Sequence, residues 1–489
     1  MENQNSSKQP HVLIIPHPLQ GHVNPMLHLA EIFCLANFNV TFLSSTHIYN
    51  HLTLYTDFVT RFSHYTGLFE FKAIPDGLPD DHIRAGDDGA QQVCLQFKSN
   101  LNPILKEMLD DEVVNPVTCL VVDGWLPVAH DLATQTHIPV IMFRCFSASN
   151  VWVYFSIPNL VQTGELPFKD DQDMDGLVQN APGLDSFLRY RDLPRFCREK
   201  KDMSSCQALE KLFEPEIERN TKAHALIVNT CQELEGPLLD LIRSRCPNTY
   251  SIGPLNAHLR TRLNTGQATL SDKSSKGQWE GDRSCMSWLD EKPDKSVLYV
   301  SFGSVAMLER EQLIELWAGL VQSQNYFLWA VRPNLIIGTE SGCQTLEELS
   351  VGTRDRGYIV GWVPQEEVLG HRAVGGFLTH SGWNSTLESV TAGVPMLCWP
   401  YFGDQQVNSR LVSEVWKVGL DMKDTCDRNV VAKMVGDLMV SRKDELLKSV
   451  ARLSDVAMRS VNEGGTSYSN LDHLIQDIKQ CAQSPKRRY

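Results

Sequence analysis

Two α/β domains in tandem, each a doubly wound parallel sheet, are predicted by three observations. The chain has 489 residues, too many for one hydrophobic core and enough for two of ordinary size. Short β-rich apolar runs occur in two separate series. The segments between those runs are amphipathic with helical spacing, and such alternation implies parallel βαβ units.

The first series is VLIIP (12–16), NVTFLSS (39–45), VTCLVVD (117–123) and PVIMFR (139–144), with helical patterns such as NPMLHLAEIFCLA between them. These runs are apolar throughout, as strands covered on both faces must be. The second series is SVLYVSFGS (296–304), YFLWAVR (326–332), GYIVGWV (357–363), GGFLTH (375–380) and PMLCWP (395–400). A boundary near Gly253-Pro254 divides the chain into a first domain, 1–253, and a second, 254–465. The stretch 256–284 is polar, rich in Gly, Ser, Thr and Lys, and reads as a mobile linker or surface loop.

Composition narrows the function. Apolar residues make up 42% and charged residues 21%, ordinary for a soluble globular protein. A net charge of −14 argues against nucleic-acid or anionic-lipid partners, which need clustered Lys and Arg. The N-terminal MENQNSSKQP has no apolar h-region and no later run reaches membrane-spanning length, so no membrane insertion and a cytoplasmic location are expected. Thirteen cysteines without a C-x-x-C pair suit reduced thiols that fill core space. Neither G-x-G-x-x-G nor G-x-x-x-x-G-K-[ST] is present, which weighs against dinucleotide and ATP sites.

Tandem sheets of this kind leave a cleft between the carboxyl ends of their strands. In PHPLQGHVNP (16–25), Asn24 suits a helix N-cap and Pro25 a first turn. His22 would then stand just before a helix start, whose dipole favours neutral imidazole and hence a base. His17, at the strand exit, reads as a packing residue. Asp123 ends VTCLVVD on the same sheet edge, where a carboxylate would fix the tautomer of His22, or else cap the next helix. FLTHSGWNSTLES (377–389) passes from strand to helix, with Asn384 as candidate N-cap and Glu388 as its loose partner. A helix start at the mouth of a cleft is an anion site that suits a diphosphate; an ordinary capped helix is the plain alternative.

The 44-residue block from Trp362 to Gln405 resembles the signature box of plant secondary-product glycosyltransferases. It carries Trp362, Gln365, His380, Gly382-Trp383-Asn384-Ser385, Glu388 and Asp404-Gln405 in the family order. The resemblance runs through the whole chain, from QGHVNP to the C-terminal helix. It implies the GT-B fold, with residues 466–489 packing back on the first domain. It also implies metal-independent, inverting transfer of glucose from UDP-glucose to a hydroxyl or carboxyl of a small lipophilic metabolite, a terpenoid, iridoid or phenolic. The product would be a β-glucoside, UDP-glucose the co-substrate, no cofactor would be needed, and the enzyme would be a monomer.

The resemblance assigns roles to individual residues. His22 would be the base and Asp123, in VVDGW, its orienting partner. Trp362 would stack on uracil beside Val363, while Gln365 and Glu388 would meet the ribose hydroxyls. Ser304, His380, Gly382, Asn384 and Ser385 would surround the diphosphate. Trp383, Asp404 and Gln405 would face the sugar, and a Gln at the last box position goes with glucose donors. For the acceptor, Trp125, Phe146, Trp152 and Phe155 offer an apolar wall. After PVIMF the family commonly has Trp or Tyr and then Thr, whereas this chain has Arg144 and Cys145. A guanidinium there would pair with an acidic acceptor, with a structural ion pair as the competing explanation.

Three other readings are weaker. DQDMDG (171–176) contains D-x-D triplets and opens like a calcium loop, but Pro182 takes the place of the bidentate Glu, so a solvated acidic loop and no metal site are expected. A nicotinamide oxidoreductase would share the α/β sheets but lacks the glycine fingerprint. A non-catalytic UDP-sugar or small-molecule binding protein would need neither His22 nor Asp123.

Overall fold

The computed structural model describes residues 9–483 except 80–81, 111–115, 170–172, 199–202, 266–283, 423–425 and most of 333–355. Seven strands build the first sheet: β1 (His11–Ile15), β2 (Asn39–Ser45), β3 (Phe69–Ile74), β4 (Cys119–Asp123), β5 (Val140–Arg144), β6 (Ala225–Val228) and β7 (Thr249–Ser251). Their spatial order is β3-β2-β1-β4-β5-β6-β7, and all neighbours are parallel. Six strands build the second: β8 (Val297–Ser301), β9 (Tyr326–Ala330), β10 (Gly357–Val360), β11 (Val374–Thr379), β12 (Met396–Cys398) and β13 (Gly419–Asp421). Their order is β10-β9-β8-β11-β12-β13, again parallel throughout.

Both sheets are covered on both faces, which explains the uninterrupted apolar runs. Val12 and Ile14 of β1 pack with Phe33 and Phe42 on one side, while Leu13 and Ile15 pack with Phe97 and Met142 on the other. In β8, Val297 and Tyr299 point one way and Leu298 and Val300 the other. In each sheet the strand order reverses at one place, between β1 and β4 and between β8 and β11. Chain connections leave such a pair in opposite directions and open a crevice at its carboxyl ends, so the fold creates two candidate crevices.

All nine expected strands are present, with ends that differ from the expected ones by no more than three residues. Four others escaped the sequence reading. β3 is an edge strand whose residues alternate in exposure and include Glu70 and Lys72. β6 has four residues, and β7 and β13 have three each, too few to show a pattern.

The expected loop at 256–284 is corrected in its first part. Leu255–Thr265 is a helix. Leu255, Leu259 and Leu263 recur every four residues and pack into the same cluster as the helix Gln20–Leu35. Polar neighbours masked that periodicity. Residues 266–283 lie outside the described residues. The last helix, Thr466–Gln483, inserts Leu471, Leu474, Ile475 and Ile478 into the core beside β1. Its Ser467 Oγ donates to the Gly253 carbonyl at 2.6 Å. No disulfide joins cysteines among the described residues. No described helix is long and apolar enough to cross a membrane.

Candidate active site

The two crevices face each other across one cavity of about 480 Å3. From the first sheet it is lined by His22, Cys145 and Phe146; from the second by Ser304, Trp362, Val363, Gln365, His380, Gly382, Trp383, Asn384, Ser385, Glu388, Asp404 and Gln405.

The helix after β1 starts earlier than expected. It spans Gln20–Leu35, so Asn24 and Pro25 lie inside it, and Leu19 occupies the N-cap position without a side-chain cap. His22 is therefore in the first turn rather than before it. Pro25 has no N–H to give the carbonyl four residues back, that of Gly21. That carbonyl instead accepts a hydrogen bond from Asn384 Nδ2 of the second sheet's domain at 2.7 Å. A proline inside the helix thus frees a carbonyl that ties the two lips of the cleft together. The same bond corrects the expected capping by Asn384: Gly382 is the N-cap of the helix Trp383–Thr391, with no side-chain cap.

Asp123, at the end of β4, stands behind His22. Its Oδ2 is 2.7 Å from His22 Nδ1, and its Oδ1 accepts the Trp125 N–H at 2.9 Å. Burial alone would raise the Asp123 pKa, but His22 and the Trp125 N–H outweigh it and hold the carboxyl at about 2. An ionised carboxylate on Nδ1 leaves Nε2 as the ring nitrogen available to the cleft. Cys145 Sγ also approaches Nδ1, at 2.9 Å, and burial holds the thiol far above its usual range. His17 lies 5.0 Å from the His22 ring, is buried, and contacts Cys94. Burial first, then the neighbouring His22, lowers its pKa to about 3, which keeps it neutral.

On the second lip His380 follows β11 and sits between two glycines. A Cβ on Gly303 would come within 2.6 Å of the ring, and one on Gly382 within 2.5 Å. Gly303 also has φ +65°, a conformation glycine adopts without strain. Burial, with Arg332 nearby, lowers the His380 pKa to about 4. Arg332 binds the Gly303 carbonyl at 3.0 Å and the Ala306 carbonyl, and so holds the loop after β8. Neither Gly303 nor Arg332 stood out in the sequence, because their importance is a matter of approach across two strands.

Gln365 Nε2 donates to Glu388 Oε2 at 2.6 Å and to Ser385 Oγ at 2.9 Å, and Gln365 Oε1 accepts from the Tyr299 hydroxyl at 3.2 Å. Burial and then the neighbouring Glu366 push the Glu388 pKa well above the usual carboxylate range. Asp404 is raised to about 6, again by burial, although it accepts from Asn408 Nδ2 at 2.7 Å. The Trp383 indole N–H is committed to the Asn229 carbonyl at 2.7 Å, a second tie between the lips. The Trp362 and His51 rings stand nearly perpendicular, with centroids 5.4 Å apart.

Several acceptor-side expectations are corrected. Of the four wall aromatics only Phe146 reaches the cavity, with its ring edge-on to His22 at 5.6 Å. Trp125 packs behind Phe146. Trp152 is core, its indole N–H bonded to the Pro182 carbonyl at 2.8 Å, and Phe155 is core beside it. Arg144 does not line the cavity; it is 2% exposed and pairs with Glu216, with Nε on Asn220 Oδ1 at 3.1 Å. The competing explanation, a structural ion pair, accounts for this residue. Residues 171–172 of DQDMDG lie outside the described residues; Asp175 is half-exposed and pairs with Arg189 and Arg191.

A cleft between two Rossmann-like sheets, with ionisable side chains gathered at both switch points, is the GT-B architecture of nucleotide-sugar-dependent glycosyltransferases. Residues 280–454 match the family model described as UDP-glucoronosyl and UDP-glucosyl transferase. The chain is 49% identical over 486 residues to 7-deoxyloganetic acid glucosyltransferase of Catharanthus roseus, covering 98% of this chain and 99% of that one. It is 36% identical to 7-deoxyloganetin glucosyltransferase of the same plant, covering 98% of each. Among solved structures, Medicago truncatula UGT71G1 complexed with UDP-glucose is 27% identical with a TM-score of 0.74, covering 97% of this chain and 99% of that one. The protein belongs to the UDP-glucoronosyl and UDP-glucosyl transferase family, and it is a UDP-dependent glucosyltransferase.

Proposed function

We propose that the enzyme transfers glucose from UDP-glucose to an iridoid or related terpenoid acceptor by inverting displacement. Residues 254–465 take the donor and residues 1–253 the acceptor. His22 removes the acceptor proton through Nε2, and the acceptor oxygen attacks C1 of the α-linked donor, so that a β-glucoside forms and UDP departs. Asp123 fixes the tautomer and stabilises the imidazolium. Ser304, His380, Asn384 and Ser385 meet the diphosphate, Trp362 and Val363 the uracil, Gln365 and Glu388 the ribose, and Asp404 and Gln405 the sugar. The observation that carries the reading is the 2.7 Å contact between His22 and Asp123 on the lip opposite these residues.

Similarity to enzymes named for 7-deoxyloganetic acid and 7-deoxyloganetin supports a cyclopentanoid terpenoid acceptor. Purified protein with UDP-glucose and 7-deoxyloganetic acid, 7-deoxyloganetin, myricetin glycosides and simple phenols will test it. Faster UDP release on the iridoids, with a β-glucoside by NMR, is expected. Preference for phenolics would reject the acceptor class, and an α-glucoside would reject the displacement.

The raised pKa of Glu388 gives a further expectation. Its folded-state pKa exceeds the unfolded value, so its contribution to stability is present below the unfolded pKa and is lost as pH rises through the folded one. Ribose hydroxyls donate more strongly to a carboxylate than to a carboxylic acid, so UDP binding should ionise Glu388 and release a proton. Calorimetry near neutral pH in two buffers of different ionisation enthalpy should show that release in wild type and its loss in Glu388→Gln. Equal proton release in both proteins would rule the linkage out.

A further inference from the structure

We propose that His224, Asp477 and Cys481 form a site for a borderline-soft divalent cation of the Zn2+ type, remote from the cleft, which pins the last helix to the first sheet. The three side chains converge from two elements. Asp477 and Cys481 are four residues apart on the helix Thr466–Gln483 and so share one face. His224 immediately precedes β6 and is held by its backbone N–H on the Val140 carbonyl at 2.9 Å.

The donor atoms already have the spacing of a metal triangle. His224 Nε2 is 2.9 Å from Asp477 Oδ2 and 3.7 Å from Cys481 Sγ, and the three atoms lie within 4.8 Å of one another. Zn–N, Zn–O and Zn–S bonds in a tetrahedron place such atoms about 3.3–3.6 Å apart, so the two contacts of His224 need shifts of under half an ångström and the carboxylate–sulfur pair, within 4.8 Å, closes by a side-chain rotation. Imidazole, carboxylate and thiolate are the ligand set this ion takes, and a fourth position would remain for water. The His224 and Asp477 side chains are 33% and 24% exposed, so an ion can reach them from solvent. Behind them the Tyr250 hydroxyl stands 3.4 Å from Asp477 Oδ2, where it can orient the carboxylate. Binding would deprotonate the Cys481 thiol, with the proton passing to solvent.

The site is separate from the transferase chemistry. His224 lies at the amino end of β6, whereas Asp123 and the cleft lie at the carboxyl end of β4 in the same parallel sheet. A five-residue strand separates the two edges by about 13 Å. His22, Asp123 and Cys145 also fall within metal-ligand spacing of one another, so any test must tell the two triplets apart.

Untagged protein stripped with chelator and titrated with Co2+ provides that test. One ion per chain is expected, with a thiolate-to-cobalt band in the near ultraviolet that Cys481→Ser abolishes while Cys145 remains intact. Zn2+ should raise Tm of the wild type and not of His224→Gln or Asp477→Asn. Both variants change partly exposed polar groups, and their circular dichroism will show whether they fold. Absence of uptake would overturn the proposal. So would a thiolate band that persists in Cys481→Ser, which would place the ion at another cysteine such as Cys145, or an equal Zn2+-induced rise in Tm in folded His224→Gln.

Discussion

Replacing His22 with alanine should lower kcat by about 10²–10⁴-fold, the range a positioned general base contributes, while UDP affinity stays within a few-fold of wild type. The split follows from geometry. His22 stands on the lip of the first sheet, whereas Trp362, His380 and Glu388 lie on the other. Asp123→Asn should also be severe, because an amide presents either an N–H or an uncharged oxygen to Nδ1 and cannot stabilise the imidazolium. His17→Ala should cost far less catalysis, since burial keeps that ring neutral and, though it packs against His22, it bonds Cys94 and does not line the cleft. Initial rates from UDP release, paired with UDP titrations by calorimetry, read both halves of the prediction. If His22→Ala lost UDP binding and kept kcat, the assignment of His22 as base would be rejected.

Much of this site was legible because strand ends and motif residues coincide. VTCLVVD had to be a buried strand, so its Asp123 had to emerge at a carboxyl edge; VLIIP did the same for the segment carrying His22. What the sequence hid depends on partners distant along the chain. Asn24-Pro25 reads as a helix start, yet Pro25 is tolerated inside the helix because Asn384, more than 350 positions away, takes the carbonyl it leaves free. Trp152 and Phe155 looked like wall residues because aromatic spacing on a helix does not say which face meets a cavity. Polar composition around 256–265 likewise concealed a leucine at every fourth position.

Arg144 shows how a departure from a family pattern can be structural. Its guanidinium lies against Gly124, where a Cβ would come within 2.1 Å of Nη1, so the glycine after Asp123 makes room for it. Glu216 and Asn220, four residues apart on the helix Met203–Lys222, hold it from one face. Both partners of the ion pair are buried. Glu216→Ala should therefore destabilise the fold by about 3–5 kcal/mol, because a buried cation loses its partner. Glu216→Gln should cost less, since its oxygen can still accept a hydrogen bond. The double variant Arg144→Met/Glu216→Leu should recover most of the loss, because apolar side chains of similar volume remove both desolvation costs together. Urea denaturation of wild type, Glu216→Ala, Glu216→Gln, the single variants Arg144→Met and Glu216→Leu, and the double variant measures this directly. An additive double variant would show that the two residues do not act as a pair. A double variant that kept stability but lost the preference for acidic over esterified acceptors would return Arg144 to the acceptor side.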